Sequence, residues 1–420
     1  MQTEVLRVVD ASAVDELDRR PVDGRILDEA RSIVQAVRNG GDEALRDFAI
    51  QFDGLSRDDP LVLEPPALQS AFNSLDPAHR EVLRSTADRI EAFAKAQRDC
   101  LDDLDTSVPG GRAGHSVRPV DRAGCYAPGG GYPLPSSVLM TAVPARVAGV
   151  RSVVVASPDP ADVTLAAAHA AGADAVVTAG GAQAMGALGF GTERIDPCDV
   201  VVGPGGPWVT AGKKVITGYV RTDFMAGPSE VAILADGSAD PALVATDLIA
   251  QAEHAPEALA VLVSTDERLI AETDKQLIEQ LDGLETADTA RAAFETGFAV
   301  TVDDLDTGVA VCERFAPEHL QLVGEDAETL ADAVDRYGTL FIGQETPEAF
   351  GDYGVGPNHV LPTGGAARFT GGLSVFDFLR LPTWLEMTGE LPDELVRDIP
   401  TLARLEGLEG HARSAERRFD

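Results

Sequence analysis

Residues 151–203 read RSVVVASPDPADVTLAAAHAAGADAVVTAGGAQAMGALGFGTERIDPCDVVVG, and this stretch decides the fold class. Three of its runs are rich in β-branched residues, as short buried strands are: RSVVVAS (151–157), DAVVTA (174–179) and DVVVG (199–203). Ala-rich segments at 161–172 and 181–189 lie between these runs and favour helices. Because strands alternate with helices, the stretch predicts βαβ units and a parallel sheet.

A second series with the same alternation follows. Its strand-like runs are VAILA (231–235), ALAVLVS (258–264), FAVTV (298–302) and TLFIG (339–343). Helix-like segments separate them near 240–254, 266–283, 304–314 and 326–337. Apolar residues at helical spacing over 23–50 and 67–98, and a helical pattern after 374, extend the chain at both ends. We therefore predict an α/β protein with two Rossmann-like lobes and helical N-terminal and C-terminal segments.

Glycine-rich clusters lie in or beside the first α/β series. They are Pro128–Gly131, Gly180–Gln183 and Gly203–Gly206, and the last two directly follow strand-like runs. Such loops let the backbone approach a phosphate or a flat ring. The usual dinucleotide fingerprint G-x-G-x-x-G is absent from the sequence. The pattern alone therefore predicts a two-lobed α/β enzyme and leaves nucleotide and metal dependence open.

The charge balance is strongly acidic. The 420 residues include 69 Asp and Glu against 34 Lys and Arg, which gives a formal net charge of −35. The acids are spread along the whole chain, and this favours adaptation to a salt-rich cytoplasm over an acidic surface for one partner. We predict that folding and activity need high salt, because salt screens the self-repulsion. The same charge argues against nucleic-acid binding.

The sequence also predicts a cytoplasmic protein. The N-terminus MQTEV lacks the basic start and apolar block of a signal peptide. No run of about 18 apolar residues occurs, so we expect no membrane-spanning helix. The cysteines, Cys100, Cys125, Cys198 and Cys312, are scattered without C-x-x-C spacing, and we expect them to be reduced packing thiols.

Histidines carry the strongest chemical signal in the sequence. Four of the seven lie among carboxyl or amide side chains, a combination typical of metal sites and acid–base sites. The four segments are Gln251-Ala-Glu-His254, Glu318-His319, Asp352 to His359, and Glu406 to His411. Because Gln251 and His254 are three residues apart, both side chains should project from one face of a helix.

Each segment has an ordinary explanation when it stands alone. Gln251 and His254 would then mark a solvated helix end, because their spacing is not that of H-E-x-x-H. Glu318-His319, expected in a loop after a helix, would be surface residues, and Asp352 a turn residue. Ser229, before the strand VAILA, would belong to a plain turn. Only convergence of these segments in space favours a catalytic site.

The order of the motifs along the chain resembles that of the histidinol dehydrogenase family. The likeness runs from Val37 to His411 and so covers nearly the whole chain. The motifs are VRNGGDEAL (37–45), RAGCYAPGG (122–130), PSSVLM (135–140), GGAQA (180–184), MAGPSE (225–230), QAEH (251–254), PEHL (317–320), GDY (351–353), NHVLP (358–362) and EGLEGH (406–411). So many collinear motifs make the resemblance specific for the family.

The resemblance implies a reaction and a zinc site. Members of the family oxidise L-histidinol to L-histidine through a bound histidinaldehyde, with two hydride transfers to NAD. His319 is implied as the base, and Glu318 as the group that activates water. One zinc ion per subunit is implied, with the ligands Gln251, His254, Asp352 and, from the partner subunit of a homodimer, His411. Implied substrate contacts are Ser229, Gln251, His254, Glu318, Asp352, His359, Glu406 and His411.

For NAD, the resemblance implies contacts from Tyr126, Gln183 and the loop that ends at Gly206. The family usually has Gly-Pro-Gly-Asn in this loop, whereas this chain has Gly203-Pro204-Gly205-Gly206. Because the Asn amide is missing, we predict weaker or differently arranged NAD binding. Stacking by Trp208 stays open as a replacement.

The chain is predicted to have four parts. They are an N-terminal segment (1–20), a substrate and zinc lobe (21–121 with 231–373), an NAD-binding lobe (122–230) and a C-terminal helical dimerisation tail (374–420). Three alternative functions remain at this stage. The chain could oxidise another small polar alcohol with zinc and NAD, act as a zinc hydrolase through Glu318, or bind a ligand without turnover because of Gly206.

Overall fold

The computed structural model of the chain describes residues 4–17, 19, 22–129 and 132–418. The α-helices in this part are α1 (Ala13–Glu16), α2 (Gly24–Phe52, kinked at Gly41), α3 (Pro65–Ser74), α4 (Pro77–Arg98), α5 (Pro135–Ala148), α6 (Asp162–Ala170), α7 (Gly181–Phe190), α8 (Pro207–Ile216), α9 (Pro241–Ala252), α10 (Glu267–Gln280), α11 (Ala287–Phe294), α12 (Leu305–Phe315), α13 (Ala327–Leu330), α14 (Glu348–Asp352), α15 (Asp393–Leu405) and α16 (Glu409–Glu416). Short 3-10 helices lie at Ala331–Ala333, Ala366–Arg368 and Val375–Phe378. Gly130 of the motif RAGCYAPGG, and part of the predicted N-terminal segment, lie outside the described residues.

The β-strands form parallel and antiparallel sheets. In the same part of the chain they are β1 (Arg7–Val9), β2 (Val62–Leu63), β3 (Leu104–Val108), β4 (Gly111–His115), β5 (Arg118–Pro119), β6 (Arg122–Tyr126), β7 (Ser152–Ala156), β8 (Ala175–Val177), β9 (Val200–Val202), β10 (Arg221–Thr222), β11 (Glu230–Ala235), β12 (Leu259–Ser264), β13 (Phe298–Thr301), β14 (His319–Val323), β15 (Thr339–Ile342), β16 (Leu379–Arg380) and β17 (Thr383–Met387).

Two six-stranded sheets are built from these described strands. Sheet A has the order β1-β13-β12-β11-β14-β15, and all its neighbouring strands are parallel. Sheet B has the order β10-β9-β6-β7-β8-β2, and only the edge strand β2 runs antiparallel to its neighbour. The expectation of two α/β lobes is therefore confirmed.

Both sheets are covered by helices, which explains their unbroken apolar strands. Every residue of β11 and β12 is buried, as expected for parallel strands with helices on both faces. Helices α9, α10 and α11 pack on one face of sheet A, and α12 packs on the other. Helix α2 packs on α7 and α8 beside sheet B.

The structure corrects two expectations about local structure. His319 begins strand β14 instead of lying in a loop. The sequence HLQLV lacks the continuous β-branched run that marks the neighbouring strands, although its alternation of polar His319 and Gln321 with leucines is a strand pattern and all of its residues are buried. The segment after 374 is not wholly helical, since β16 and β17 precede the two terminal helices. These strands pair with β5 and β4, contacts that local helical patterns cannot reveal.

The chain divides into two compact units. The first comprises Met1–Gln97 with Val120–Phe378 and contains sheets A and B. The second comprises Arg98–Pro119 with Leu379–Asp420. It holds the antiparallel sheet β17-β4-β3, the pair β16-β5 and helices α15 and α16. The four-part division expected from the sequence stays a prediction. In the described ranges, the helices are all too short or too polar to cross a membrane.

Candidate active site

The candidate catalytic residues lie where two neighbouring strands of sheet A begin. Glu230 is the first residue of β11, and His319 is the first residue of β14. The strands are parallel and aligned so that Val231 faces His319. Glu318, directly before β14, therefore lies beside the start of β11. Both residues are buried, with 5% of Glu318 and 3% of His319 exposed.

The backbone of Glu230 contacts both residues. Its N–H donates to Oε2 of Glu318 over 2.8 Å, and its carbonyl oxygen lies 3.1 Å from Nδ1 of His319. Because a carbonyl oxygen can only accept, Nδ1 carries the proton in this contact. In the neutral ring Nε2 is then an acceptor, and this buried atom has no hydrogen-bond partner among the described residues. The arrangement leaves Nε2 available to take a proton.

The side chain of Glu230 is itself fixed. Its Oε2 lies 3.1 Å from an Arg19 nitrogen, and its Oε1 accepts from the backbone N–H of Gly364 at 3.0 Å. Arg19 also donates to the carbonyl oxygen of Phe315 and stacks on its ring, 4.3 Å from the centroid. The start of β11 is thereby anchored from three directions.

Carboxylates surround the imidazole of His319. Glu318 Oε2 and Glu348 Oε1 are each 3.8 Å from Nδ1, and Asp352 Oδ1 is 3.7 Å from Nε2. Burial alone would lower the pKa of His319, but Glu348 and Glu318 outweigh it and raise this pKa to about 10. Burial raises the pKa of the Glu318 carboxyl to about 8, although His319 opposes the shift. Such a cluster favours a bound cation.

A group of potential metal ligands lies next to His319. Candidate ligand atoms of His254, Glu348 and Asp352 all lie within 4.8 Å of one another. Gln251, on α9, is fully buried, and neither atom of its side-chain amide has a hydrogen-bond partner among the described residues. An unpartnered buried amide costs free energy, which a ligand interaction would offset. Imidazole, carboxylate and amide donors together fit a zinc ion.

Glu348 was missed by sequence reasoning. It is 2% exposed and begins the short helix α14, which ends at Asp352. The two residues are four apart and so lie on the same face of one helical turn. The sequence signal for Glu348 is therefore that it lies four residues before Asp352, a candidate ligand.

A cavity of about 170 Å³ opens at this edge of sheet A. The residues expected from the sequence that line it are Ser229, His254, Glu318, His319, Asp352 and His359. His359 Nδ1 lies 2.8 Å from the carbonyl oxygen of Asp352, so Nε2 is left as an acceptor. Burial lowers the pKa of His359 and keeps its ring neutral. The other lining residues in the described ranges include no lysine or arginine.

Two expected site residues lie elsewhere in the chain. Glu406 caps the end of α15, and His411 lies on α16. Both belong to the second compact unit, both are exposed, and neither lines the cavity at sheet A.

A second cavity, of about 660 Å³, lies at the carboxyl ends of the strands of sheet B. Its walls include the expected residues Tyr126, Gln183 and Gly206, together with Asp53 and Trp208. Asp53 Oδ2 accepts from the side-chain amide of Gln183 at 2.9 Å. The Gln183 carbonyl oxygen is thus turned away from this carboxylate. Ligands of open parallel sheets commonly bind at carboxyl ends.

Gly206 has free space around it. It caps the start of α8 with φ −66° and ψ −178°, angles that any residue adopts. A Cβ atom built at this position meets no atom within 4 Å. Trp208, two residues on, is 38% exposed and borders the same cavity.

A family model described as histidinol dehydrogenase matches residues 18–419. The chain belongs to the histidinol dehydrogenase family. The histidinol dehydrogenase of Haloarcula marismortui is 45% identical over 403 residues, which cover 94% of each chain. That of Thermus thermophilus is 44% identical over 399 residues, covering 94% of this chain and 95% of the relative.

Solved structures agree with this membership. The crystal structure of histidinol dehydrogenase from Elizabethkingia anophelis matches with a TM-score of 0.93 at 30% identity, over 100% of this chain and 99% of that one. An acetylating aldehyde dehydrogenase from Geobacillus thermoglucosidasius has a TM-score of 0.52 at 14% identity, over 91% of this chain and 95% of that one. The likeness to the aldehyde dehydrogenase shows a shared fold only.

Proposed function

We propose that this chain oxidises L-histidinol to L-histidine in two steps, with NAD accepting a hydride in each. The observation that carries the proposal is the attachment of Glu318 and His319 to the backbone of Glu230, with His319 Nε2 free of partners among the described residues. An acceptor nitrogen in a cavity is what proton removal from an alcohol needs. Membership of the family supports the same substrate.

In the first oxidation, His319 Nε2 accepts the hydroxyl proton of histidinol. The carbinol C–H bond breaks with its electron pair, which a dinucleotide held by Tyr126, Gln183 and Gly206 would accept as hydride, so histidinaldehyde would be the product. The ring acts as a base only when neutral. A cation held by the neighbouring carboxylates would lower the His319 pKa from about 10, and the contact of Nδ1 with the Glu230 carbonyl favours the required tautomer. Ser229 and His359 border the same cavity and would bind the polar groups of the substrate.

Between the two oxidations the aldehyde takes up water. Glu318 suits the role of accepting a proton from this water, because burial raises its pKa to about 8, near neutral pH. As the water oxygen bonds to the carbonyl carbon, the aldehyde oxygen takes the proton that His319 received in the first step. The resulting gem-diol would then give up its remaining C–H hydrogen as hydride to a second NAD⁺. The balance is histidinol, water and two NAD⁺ giving the carboxylate of histidine, two NADH and three protons.

We assign the metal site to Gln251, His254, Asp352 and His411 of the partner subunit, with one zinc ion per subunit. The buried amide of Gln251 and the carboxylates around His254 support this assignment. When bound, zinc would fix the nitrogen atoms of the substrate and offset the negative charge. Glu348 would add a further carboxylate beside His254, with 4.0 Å between the nearest atoms.

NAD would occupy the cavity at sheet B. Tyr126, Gln183 and the backbone at Gly206 are the proposed contacts, and all three border this cavity. The loop Gly203–Gly206 supports the location, since Pro204 and Gly205 border the cavity with His319 whereas Gly206 borders the second one. A dinucleotide along this loop could reach the substrate from the second cavity.

The proposed assembly is a homodimer. Helix α15 presents exposed apolar side chains that water disfavours: Ile399, Leu402 and Leu405, of which Leu405 is 80% exposed. A second copy would cover them. In the proposed dimer, Glu406 and His411 act in the active site of the partner subunit, which accounts for their exposure.

The test is NADH formation by purified protein with L-histidinol in about 1 M KCl, where surface charges are screened. We expect two NADH per histidinol, loss of the reaction with a chelator and recovery with zinc. NADH formed only from a different alcohol would reassign the substrate. Metal-dependent ester cleavage without any NADH would favour a hydrolase.

A further inference from the structure

A buried ion pair lies beneath the loop Gly203–Gly206. Lys213, on α8, and Asp223, directly after β10, have side chains only 2% and 1% exposed. The Lys213 Nζ atom lies 2.5 Å from Asp223 Oδ1. Both side chains are shielded from solvent, where salt screens charges least, and Lys213 is one of only four lysines in the chain.

The pair binds both backbone groups of Gly203. The Gly203 N–H donates to Asp223 Oδ2 at 2.8 Å, and its carbonyl oxygen accepts from Lys213 Nζ at 2.5 Å. Gly203 has φ +121°, and a Cβ atom there would lie 2.1 Å from the carbonyl oxygen of Tyr126. Only glycine fits this conformation, and the hydrogen bonds to the ion pair stabilise it.

The residues after Gly203 border both cavities. Pro204 and Gly205 line the cavity that contains His319, and Gly206 lines the cavity at sheet B. One turn before Lys213 on the same helix, Thr210 donates to the carbonyl oxygen of Ala226 at 2.9 Å. The loop therefore begins at a residue fixed by two buried charges and ends at the start of α8.

We propose that Lys213 and Asp223 are positioning residues for the dinucleotide: they hold Gly203 and so place the backbone of Gly205 and Gly206 for NAD. This inference rests on the proposed function, in which the cavity at sheet B takes NAD. An ammonium group is compact and directs its protons to two acceptors at once, whereas a planar guanidinium needs more room. The need for a compact cation explains a lysine here in a chain that otherwise favours arginine.

The experiment compares NADH binding to the zinc-free protein, followed by NADH fluorescence, in wild type and in the double variant Lys213→Met with Asp223→Asn. The double variant avoids a buried unpaired charge, and the side-chain oxygen of the introduced asparagine would still be an acceptor for the Gly203 N–H. The matched control is Lys214→Met, the exposed neighbour on the same helix.

We expect the Kd for NADH to rise about 10-fold or more in the double variant and to stay within about 2-fold of wild type in the control. The increase should be the same from about 0.5 to 3 M KCl, because the pair is shielded from solvent. In the steady state, the KM for NAD should rise more than the KM for histidinol, because Pro204 and Gly205 also line the cavity that contains His319. A loss of stability alone would not separate these two constants.

An unchanged Kd for NADH in the folded double variant would overturn the inference and leave the proposed function intact. If the double variant does not fold, Lys213→Met alone gives the comparison, because the buried Asp223 carboxyl can take up a proton and so avoid an unpaired charge; an unchanged Kd there would likewise overturn the inference. If wild type binds NADH but does not oxidise histidinol, the proposed substrate fails while the binding comparison still decides this inference.

Discussion

The Nδ1 atom of His319 lies 3.1 Å from the carbonyl oxygen of Glu230, whose own N–H donates to Glu318 at 2.8 Å. One residue at the start of β11 thus orients both proposed catalytic groups through its backbone. Substitution of His319 or Glu318 removes one of these two contacts, but the pairing of β11 with β14 runs through backbone groups and does not depend on either side chain. Each role can then be tested separately.

The variant His319→Ala should keep zinc and lose rate. We expect kcat to fall about 10²- to 10⁴-fold, the usual contribution of a general base. Zinc content by atomic absorption and the Kd for NADH should match wild type, since His319 is not a proposed ligand of either. His79→Ala, on an exposed part of α4, is the control and should keep full activity. Loss of zinc from the His319 variant would contradict the assignment.

The variant His254→Ala should lose zinc and activity together while the fold survives. Removal of one ligand weakens a zinc site strongly, whereas this side chain is 41% exposed and supports little packing. Zinc stoichiometry and the circular dichroism spectrum measure the two effects. Glu253→Gln, the exposed preceding residue, should retain zinc. Full zinc occupancy in His254→Ala would refute the ligand role.

The variant Gly206→Asn should bind NAD more tightly. The position has space for the side chain, and the added amide could donate one hydrogen bond, so we expect the KM for NAD to fall about 5-fold. The free energy of unfolding should change by only about 0.3 kcal/mol, because Asn and Gly are both accepted helix caps. An unchanged KM would mean that Gly206 does not limit NAD binding.

Mixed dimers test the exchange of residues between subunits. His319→Ala and His411→Ala variants should each be inactive, whereas refolding them together should restore activity. Half of the dimers would be hybrids with one intact site each, so about a quarter of wild-type activity is expected. Refolding each variant alone is the control. If mass spectrometry verifies that hybrid dimers form but activity does not recover, His411 lies outside the active site of the partner subunit.

Salt should control stability. With a net charge of −35, we expect the Tm to rise between about 50 mM and 2 M KCl, as repulsion among surface carboxylates is screened. Differential scanning calorimetry with parallel rate measurements follows both properties. Sucrose at equal osmolality separates charge screening from preferential exclusion. Full activity and an unchanged Tm at the low salt concentration would contradict salt adaptation.

Much of the fold could be predicted from sequence because the inner strands of sheets A and B are buried on both faces. Runs such as Val200–Val202 and Leu259–Val263 are apolar throughout and lie between clear helical segments. Strand β14 could not be found in this way, because His319 and Gln321 interrupt its apolar pattern. The antiparallel pairing of β17 with β4 joins segments more than 250 residues apart, beyond the range of local patterns.

The site was predicted less completely than the fold. Motif order suggested His254, His319 and Asp352 together, and they do meet at one edge of sheet A. Glu348 belongs to no motif, and its spacing of four residues to Asp352 is a weak signal until the structure shows its closeness to His254 and Asp352. The candidate active site lies at the amino ends of strands in sheet A, whereas ligand sites commonly lie at the carboxyl ends of strands. In this protein the carboxyl ends of strands in sheet B border the cavity at sheet B. The amino ends of β11 and β14 in sheet A border the cavity that contains His319.

The alignment of Val231 with His319 makes activity a measure of how the two strands are paired. A slip of one residue between β11 and β14 would turn His319 to the opposite face of the sheet and carry Glu318 away from its partner. Such a chain could remain compact and rich in secondary structure. After the protein is unfolded and then refolded in salt, the recovered activity would therefore report the fraction of molecules with the correct strand register. Circular dichroism alone would overestimate this fraction.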